Sequence, residues 1–346
     1  MQPRSIVGRL IQLNLIMRFQ KFLILLLFLL SSCAAISAQS GDDVIKIDSS
    51  IVRLNVGVAD RQGRPITNLS KENFTLYEDG VKQEISRFEP TVAPFSVVML
   101  LDMSGSTLGF REVIRQSAFR FVDALASEDR VAVVEFYDKP NLLNDFTNKR
   151  KPIINSINVA SGRGKTQLYK ALDFALDKLA KEGKRRKAII VLTDGFDSNL
   201  RDIDRNYLEK VKESDIAKAI NPENNDALNK LLNKSDNQGV TIYPLALPTG
   251  DPFKLAEPTP LQVAMYSASR ARLHILADRT GGTFNAINHL EDMGKLYASV
   301  AADLRALYTV EYAPTDTKRD GKWRKIKIEV NNSELISKTR PGYFAR

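Results

Sequence analysis

Residues 95–106 read Phe95-Ser96-Val97-Val98-Met99-Leu100-Leu101-Asp102-Met103-Ser104-Gly105-Ser106, and this stretch decides the fold. Phe95 to Leu101 is a near-continuous apolar run of strand length, the pattern of a strand buried on both faces of a parallel sheet. At its end the chemistry changes. One carboxylate, Asp102, is followed at every second position by a hydroxyl, Ser104 and then Ser106. That is a poor arrangement for a catalytic nucleophile and a good partial shell for a hard divalent cation. A second acidic loop, Thr193-Asp194-Gly195, follows another apolar run, and a helix led by Thr166 lies between them.

Working outward, strands and helices alternate from residue 95. Apolar residues at 110, 113, 114, 118, 121, 122 and 125 form a helical stripe. Val131 to Tyr137 reads as a strand, and Thr166 to Leu179 as a helix. Ala188 to Leu192 and Val240 to Leu247 read as buried strands, and Leu290 to Leu307 as a long final helix. This alternation predicts an α/β fold, a doubly wound and mostly parallel sheet with helices on both faces. Such sheets bind ligands beyond the carboxyl ends of their strands, at a topological switch point. Asp102 and Asp194 both fall on that edge. Residues 197–238 are polar and longer than a usual connection, so they are expected to form a surface excursion near the site, with a short helix over Ala227 to Leu232.

The flanks read as β. Val52, Leu54, Val56 and Val58 alternate with more polar residues, Asp60 to Pro65 is a turn, and Glu78-Asp79-Gly80 separates Phe74–Tyr77 from Val81–Phe88 as a hairpin. At the other end, Tyr308 to Tyr312, Trp323 to Val330 and Leu335 to Thr339 read as strands, with Arg319 to Lys322 as the turn between the first two. Segments 44–90 and 308–346 are each too short to bury much alone. They are expected to pack together as one small flanking β domain, with residues 95–307 inserted between them.

Phe22 to Leu30 reads FLILLLFLL, with Arg18 and Lys21 before it and small residues through Ala38 after it. Residues 1–38 therefore read as a secretory signal, with Met17 as an alternative start. The apolar run is short for a membrane span. The single cysteine, Cys33, closes Leu30-Ser31-Ser32-Cys33, a match to a bacterial lipobox; lipidation at Cys33 and cleavage after Ala38 are both open. The expected product is secreted, periplasmic or on the outer surface, touching a membrane only through signal or lipid. Its body has no disulfide and no thiolate metal site. The formal charge is +9, but four of the 50 basic residues lie in the signal, leaving 46 against 41 acidic residues. That balance does not argue for nucleic acid. The run Lys184-Arg185-Arg186-Lys187 is expected as a solvated helix end.

Asp102, Ser104 and Ser106, then Thr166, then Thr193-Asp194-Gly195 resemble the metal-ion-dependent adhesion site of von Willebrand factor type A domains. VVMLLDMSGS, LNDFTNK, GKTQLYKAL and KAIIVLTDG occur in the family's order. The flanks, RLNVGVADRQGRPITNLSKENFTLYEDGVKQEISRFE and DGKWRKIKIEV with TRPGYFA, resemble the secreted type A proteins abundant in acidobacteria. The resemblance implies that Asp102, Ser104 and Ser106 sit in or near the inner shell of a cation, Mg²⁺ or else Mn²⁺ or Ca²⁺. It implies that Thr166 binds directly or through water, and Asp194 through water. So few anionic ligands leave a position that an Asp or Glu of a protein partner can fill. Lys165, before the Thr, and Lys170 depart from the family's pattern.

Each residue also has a purely structural reading: Asp102 as a cap or turn former, Ser104 and Ser106 as loop hydroxyls, Thr166 as an N-cap, Asp194-Gly195 as a turn. It is their order on one sheet edge that favours the cation. Enzyme readings fare worse. Aspartyl-phosphate chemistry needs an acid two residues after Asp102, where Ser104 stands. Gly164-Lys165-Thr166 looks like the end of a phosphate-binding loop, but Val159 replaces its leading glycine. The two histidines, His274 and His289, neighbour no glycine-flanked serine. The remaining rival to metal-bridged adhesion is an envelope scaffold in which a metal only stabilises loops, with a metal-dependent hydrolase behind it.

Overall fold

The computed structural model describes residues 51–346 apart from Val92, Leu255, Asn288, Leu290, Glu291 and Arg346. All of them belong to one compact unit, Ser49–Arg346. The signal reading of 1–38, with Cys33, lies outside the described residues. Among the described residues no helix is long and apolar enough to cross a membrane.

The described part begins with β1 (Val52–Asp60), β2 (Phe74–Glu78), β3 (Val81–Gln83) and β4 (Ile85–Glu89). An alternating run follows: β5 (Phe95–Asp102), α1 (Arg111–Ala124), β6 (Arg130–Phe136), β7 (Pro140–Thr147), α2 (Arg150–Val159), α3 (Leu168–Ala180) and β8 (Arg186–Thr193). Next come α4 (Ser198–Leu208), α5 (Ile216–Ala219), α6 (Asp226–Gln238), β9 (Val240–Ala246), α7 (Pro260–Thr280), β10 (Asn285–Ala286) and α8 (Met293–Arg305). It closes with β11 (Leu307–Tyr312), β12 (Trp323–Val330), β13 (Leu335–Lys338) and β14 (Gly342–Phe344).

The central sheet has the order β10-β9-β8-β5-β6-β7 and is parallel except for β7. All of β5 and all of β8 are buried, as their apolar runs require. Successive side chains point to opposite faces. Val97, Met99 and Leu101 pack with Ile114, Phe121 and Val122 of α1 and with Tyr297 and Val300 of α8. Val98 and Leu100 pack with Leu168, Leu172 and Leu176 of α3, with Leu228 of α6 and with Leu273 of α7. The chain leaves β5 for β6 on one side and returns to β8 on the other. The order therefore reverses between β5 and β8, which puts a switch point at Asp102 and Thr193.

Two four-stranded antiparallel sheets, β13-β1-β11-β4 and β14-β12-β2-β3, enclose a separate core of Leu54, Val56, Leu76, Tyr308, Val310, Tyr312, Ile326 and Ile328. Val81–Phe88 is two strands rather than one: β3 pairs with β2, and after Glu84 the chain passes to the other sheet, where β4 pairs with β11. Strands β11 and β12 are not a hairpin pair either. β11 lies between β1 and β4, and β12 lies between β14 and β2.

Three further expectations are corrected. Residues 197–238 are more than a surface excursion with one short helix: they fold into α4, α5 and α6, of which α6 contains the helix expected over Ala227 to Leu232, because Leu208 and Ile216 pack with Met265 while Leu228, Leu231 and Leu232 join the main core. The run Lys184–Lys187 is not a solvated helix end, since Arg186 and Lys187 open β8 and are buried. The Arg186 guanidinium donates to the carbonyls of Thr91 (2.6 Å), Ala93 and Leu307, and lies over the Phe95 ring. Thr166 does not start its helix. α3 begins at Leu168 with Gln167 as N-cap, and Thr166 remains in the preceding loop.

Candidate functional site

The loop after β5 is built around the Asp102 carboxylate, which is fully buried. Its Oδ1 accepts the Ser104 N–H at 3.0 Å, and its Oδ2 accepts the Thr193 hydroxyl at 2.8 Å. The Ser104 and Ser106 hydroxyls lie 3.2 Å apart. The Thr107 hydroxyl is shared between the carbonyls of Asp102 (2.7 Å) and Ser104 (3.0 Å), which fixes the turn from beneath. Ser104 is buried and Ser106 exposed, so the hydroxyl pair leads from the interior to solvent.

The loop carrying Thr166 is tied to this turn. The Gly105 N–H donates to the Gly164 carbonyl at 3.2 Å, and the Arg111 guanidinium donates to the carbonyls of Met103 and Gly162. Gly164 has φ +120, and the Asp138 carboxylate occupies the place of a side chain there while accepting the Lys165 N–H at 2.8 Å. Thr166 is clamped to the start of α4: its N–H donates to the Ser198 hydroxyl at 3.0 Å, and the Ser198 N–H donates to its carbonyl at 2.9 Å. Asp197 joins two helix starts. Its Oδ1 accepts from Asn199 and Leu200 of α4, and its Oδ2 accepts from Tyr169 of α3 at 3.2 Å.

Asp194 follows β8, and its Oδ1 accepts the Phe196 N–H at 3.1 Å. The loop after β9 closes against its backbone: a Cβ on Gly250 would overlap the Asp194 carbonyl oxygen. Behind it, the Leu247 N–H donates to the Thr193 carbonyl at 2.9 Å.

Burial raises the Asp102 pKa to about 7, helped by the negative charge of Asp194 and opposed by hydrogen bonds from Ser104 and Thr193. Burial also raises Asp194, opposed by the Ser106 hydroxyl, the Phe196 N–H and the charge of Arg201. Two buried carboxylates that repel each other beside a set of hydroxyl oxygens are a donor set that fits a hard divalent cation. Among the described residues no three His, Cys, Asp or Glu side chains converge, so a cation here would depend on the hydroxyls.

The structure therefore groups Asp102, Ser104, Ser106 and Asp194 directly, and brings Thr166 to the same edge through Gly164 and Ser198. Sequence reasoning missed Thr107, Asp197, Ser198 and Gly250. Asp197-Ser198-Asn199 is an N-cap signature that would have exposed the start of α4. The contact of Gly250 leaves no local signal.

Residues 97–196 match the family model of the von Willebrand factor type A domain. No curated protein matches the chain. Among solved structures, a von Willebrand factor type A protein from Catenulispora acidiphila is similar at a TM-score of 0.47 and 12% identity, over 85% of this chain and 63% of that one. The vWF domain of the type V pili tip protein Mfa5 from Porphyromonas gingivalis is similar at 0.44 and 18%, over 61% and 94%. Proximal thread matrix protein 1 from the mussel byssus, with a zinc-occupied MIDAS motif, is similar at 0.42 and 15%, over 63% and 47%.

Proposed function

We propose that this chain is an adhesion-type protein-binding module that depends on a divalent cation. Asp102, Ser104, Ser106, Thr166 and Asp194 would hold Mg²⁺, or Mn²⁺ or Ca²⁺, for an Asp or Glu of a protein partner. The observation that carries this reading is the pair of buried, mutually repelling carboxylates, Asp102 and Asp194, beside the Ser104–Ser106 hydroxyls at a sheet switch point. When bound, the cation supplies an electrophilic centre for a carboxylate. The chain's own work is positional. Thr193 and the Ser104 N–H aim the Asp102 carboxylate, Thr107 shapes the turn, and Ser198 sets the height of Thr166.

Binding rather than catalysis is favoured by Ser104, which stands where aspartyl-phosphate chemistry would need a second acid. In the same reading, 44–90 and 308–346 form one flanking β domain around 95–307, supported by the pairing of β1 with β11 and of β2 with β12. The signal at 1–38 would deliver the protein beyond the cytoplasmic membrane, secreted or lipid-anchored.

The test is calorimetric titration of the mature protein with Mg²⁺, Mn²⁺ and Ca²⁺, with Asp102→Ala as control. Saturable binding by the wild type and none by the variant is expected. No binding of any of the three by the wild type sinks the reading.

A further inference from the structure

We propose that the cavity where β1, β13 and the end of α8 meet binds a free α-amino acid with an apolar side chain. The cavity holds about 360 Å³, and none of Asp102, Ser104, Ser106, Thr166 and Asp194 lines it. The proposed amino-acid site is therefore separate from the cation site and does not rest on it.

Four charged residues line the cavity: Asp60, Arg61, Asp303 and Lys338. Two of them are already engaged. The Asp60 carboxylate accepts the N–H groups of Gln62 and Arg64 and the Arg64 guanidinium, and Arg61 pairs with Glu334 at 3.2 Å. The other two keep free capacity. Among the described residues, neither Asp303 nor Lys338 has an ion-pair partner within 4.0 Å, and the Asp303 carboxylate accepts no hydrogen bond. The Lys338 ammonium donates to the Gly282 carbonyl at 2.9 Å and keeps further donors. Partial burial raises the Asp303 pKa and the Lys338 charge opposes it, so the two charges sense each other without touching. Opposite charges held apart on the walls of one cavity fit a zwitterion, whose ammonium meets Asp303 and whose carboxylate meets Lys338.

Asp303 lies in the last turn of α8, where the helix dipole disfavours a carboxylate and favours an ammonium. Tyr243 of β9 also lines the cavity; it is 1% exposed, and its hydroxyl donates to no atom of the described residues. Burial raises the Tyr243 pKa, helped by the charge of Asp303 and opposed by that of Arg186, so the phenol oxygen feels the same carboxylate. A buried hydroxyl without a partner costs stability, and a bound ammonium would give this one a donor. The remaining walls include Ala306, Leu307 and Ile336, the last of them 60% exposed. Apolar walls with a few convergent polar groups are the usual make-up of a small-molecule site, and here they suit an aliphatic or aromatic side chain.

The test is calorimetric titration of the mature protein with L-leucine, L-isoleucine, L-methionine and L-phenylalanine. At least one is expected to bind saturably. Its amide lacks the carboxylate, its deaminated acid lacks the ammonium, and glycine lacks the side chain; each should bind about tenfold more weakly. Asp303→Asn and Lys338→Met, at residues that reach solvent, should each weaken the same ligand about tenfold and leave the melting temperature in place. Tyr243→Phe should weaken it too, with no loss of melting temperature, because it removes a hydroxyl that donates to nothing in the described protein. Absence of saturable binding by any of the amino acids up to about 10 mM overturns the proposal. Equal binding of the amide overturns it as well, and so does binding unchanged in both Asp303→Asn and Lys338→Met.

Discussion

Thr193, the last residue of β8, donates its hydroxyl at 2.8 Å to the carboxylate of Asp102, the last residue of the adjoining β5. The bond latches the two strand ends on either side of the switch point and fixes one carboxylate oxygen. Thr193→Val keeps the shape and removes the donor, together with the acceptor of the Gly195 N–H. A hydrogen bond to a buried charged group contributes about 1.5–3 kcal/mol, so a loss of this size is expected in urea denaturation on the alkaline side of the Asp102 pKa, raised to about 7, where the carboxylate is ionised. Mg²⁺ should also bind less tightly, because Asp102 loses its aim. An unchanged midpoint in the cation-free protein would contradict this role.

The cation-free protein should be acid-favoured in one window. Asp102, raised to about 7, and Asp194, raised as well, hold protons more tightly when folded than in the unfolded chain, where Asp titrates at about 3.9. Their contribution to stability is complete below the unfolded value and is lost as pH rises through the folded values. Urea midpoints measured in EDTA should therefore fall from about pH 4 to about pH 7 more steeply in the wild type than in Asp194→Asn. Saturating Mg²⁺ should flatten the wild-type slope. Parallel slopes for the two proteins would remove the carboxylate pair as the cause.

Arg186 ties the chain's entry into the α/β layer to its exit, through Thr91 and Ala93 on one side and Leu307 on the other. Arg186→Met leaves these carbonyls without their donor and should cost about 2–4 kcal/mol in guanidinium denaturation. Arg186→Lys should recover only part, since an ammonium cannot reproduce the planar fork. Full recovery with Lys would reduce the role to charge alone.

How far the fold and site are legible differs by element. The apolar runs of β5 and β8 have one physical solution, a strand covered on both faces, and they carry Asp102 and Asp194 to the ends of those strands. α7 offers no stripe to read. Its apolar residues are spread around the helix because it packs against β9 and also against α4, α5 and α6. Its start is nonetheless written in Thr259, Pro260 and Gln262, a capping box with Pro at the first turn. The basic run at 184–187 misleads because charge suggests solvent, whereas carbonyls that receive Arg186 come from Ala93 and Leu307, 93 and 121 residues away along the chain.

Gly250 should resist any side chain. A Cβ there meets backbone atoms of Asp194, which cannot swing aside as a flexible side chain could. Gly250→Ala is expected to cost about 1–3 kcal/mol and to weaken Mg²⁺ binding by displacing the loop that carries Asp194. Thr249→Ala is the neighbouring control, because the buried Thr249 hydroxyl has no hydrogen-bond partner to lose among the described residues. Equal effects of the two substitutions in thermal melts and Mg²⁺ titrations would count against the close approach as the cause.

The buried pair Asp204–Arg272 holds α4 against α7 with two hydrogen bonds, of 2.6 and 3.0 Å. Breaking such a pair from one side strands a charge away from water, whereas replacing both partners by apolar groups removes both desolvation penalties together. Asp204→Leu and Arg272→Met should therefore each destabilise by about 3–5 kcal/mol, and the double variant by much less than their sum. Because α4 begins at Ser198, which holds Thr166, the single variants should also weaken Mg²⁺ binding and the double variant should largely restore it. A double-mutant cycle in denaturant, with a Mg²⁺ titration of each corner, reads both. Additive losses of stability would mean that the two residues do not act as a pair. Restored stability without restored Mg²⁺ binding would separate the α4 anchor from the site.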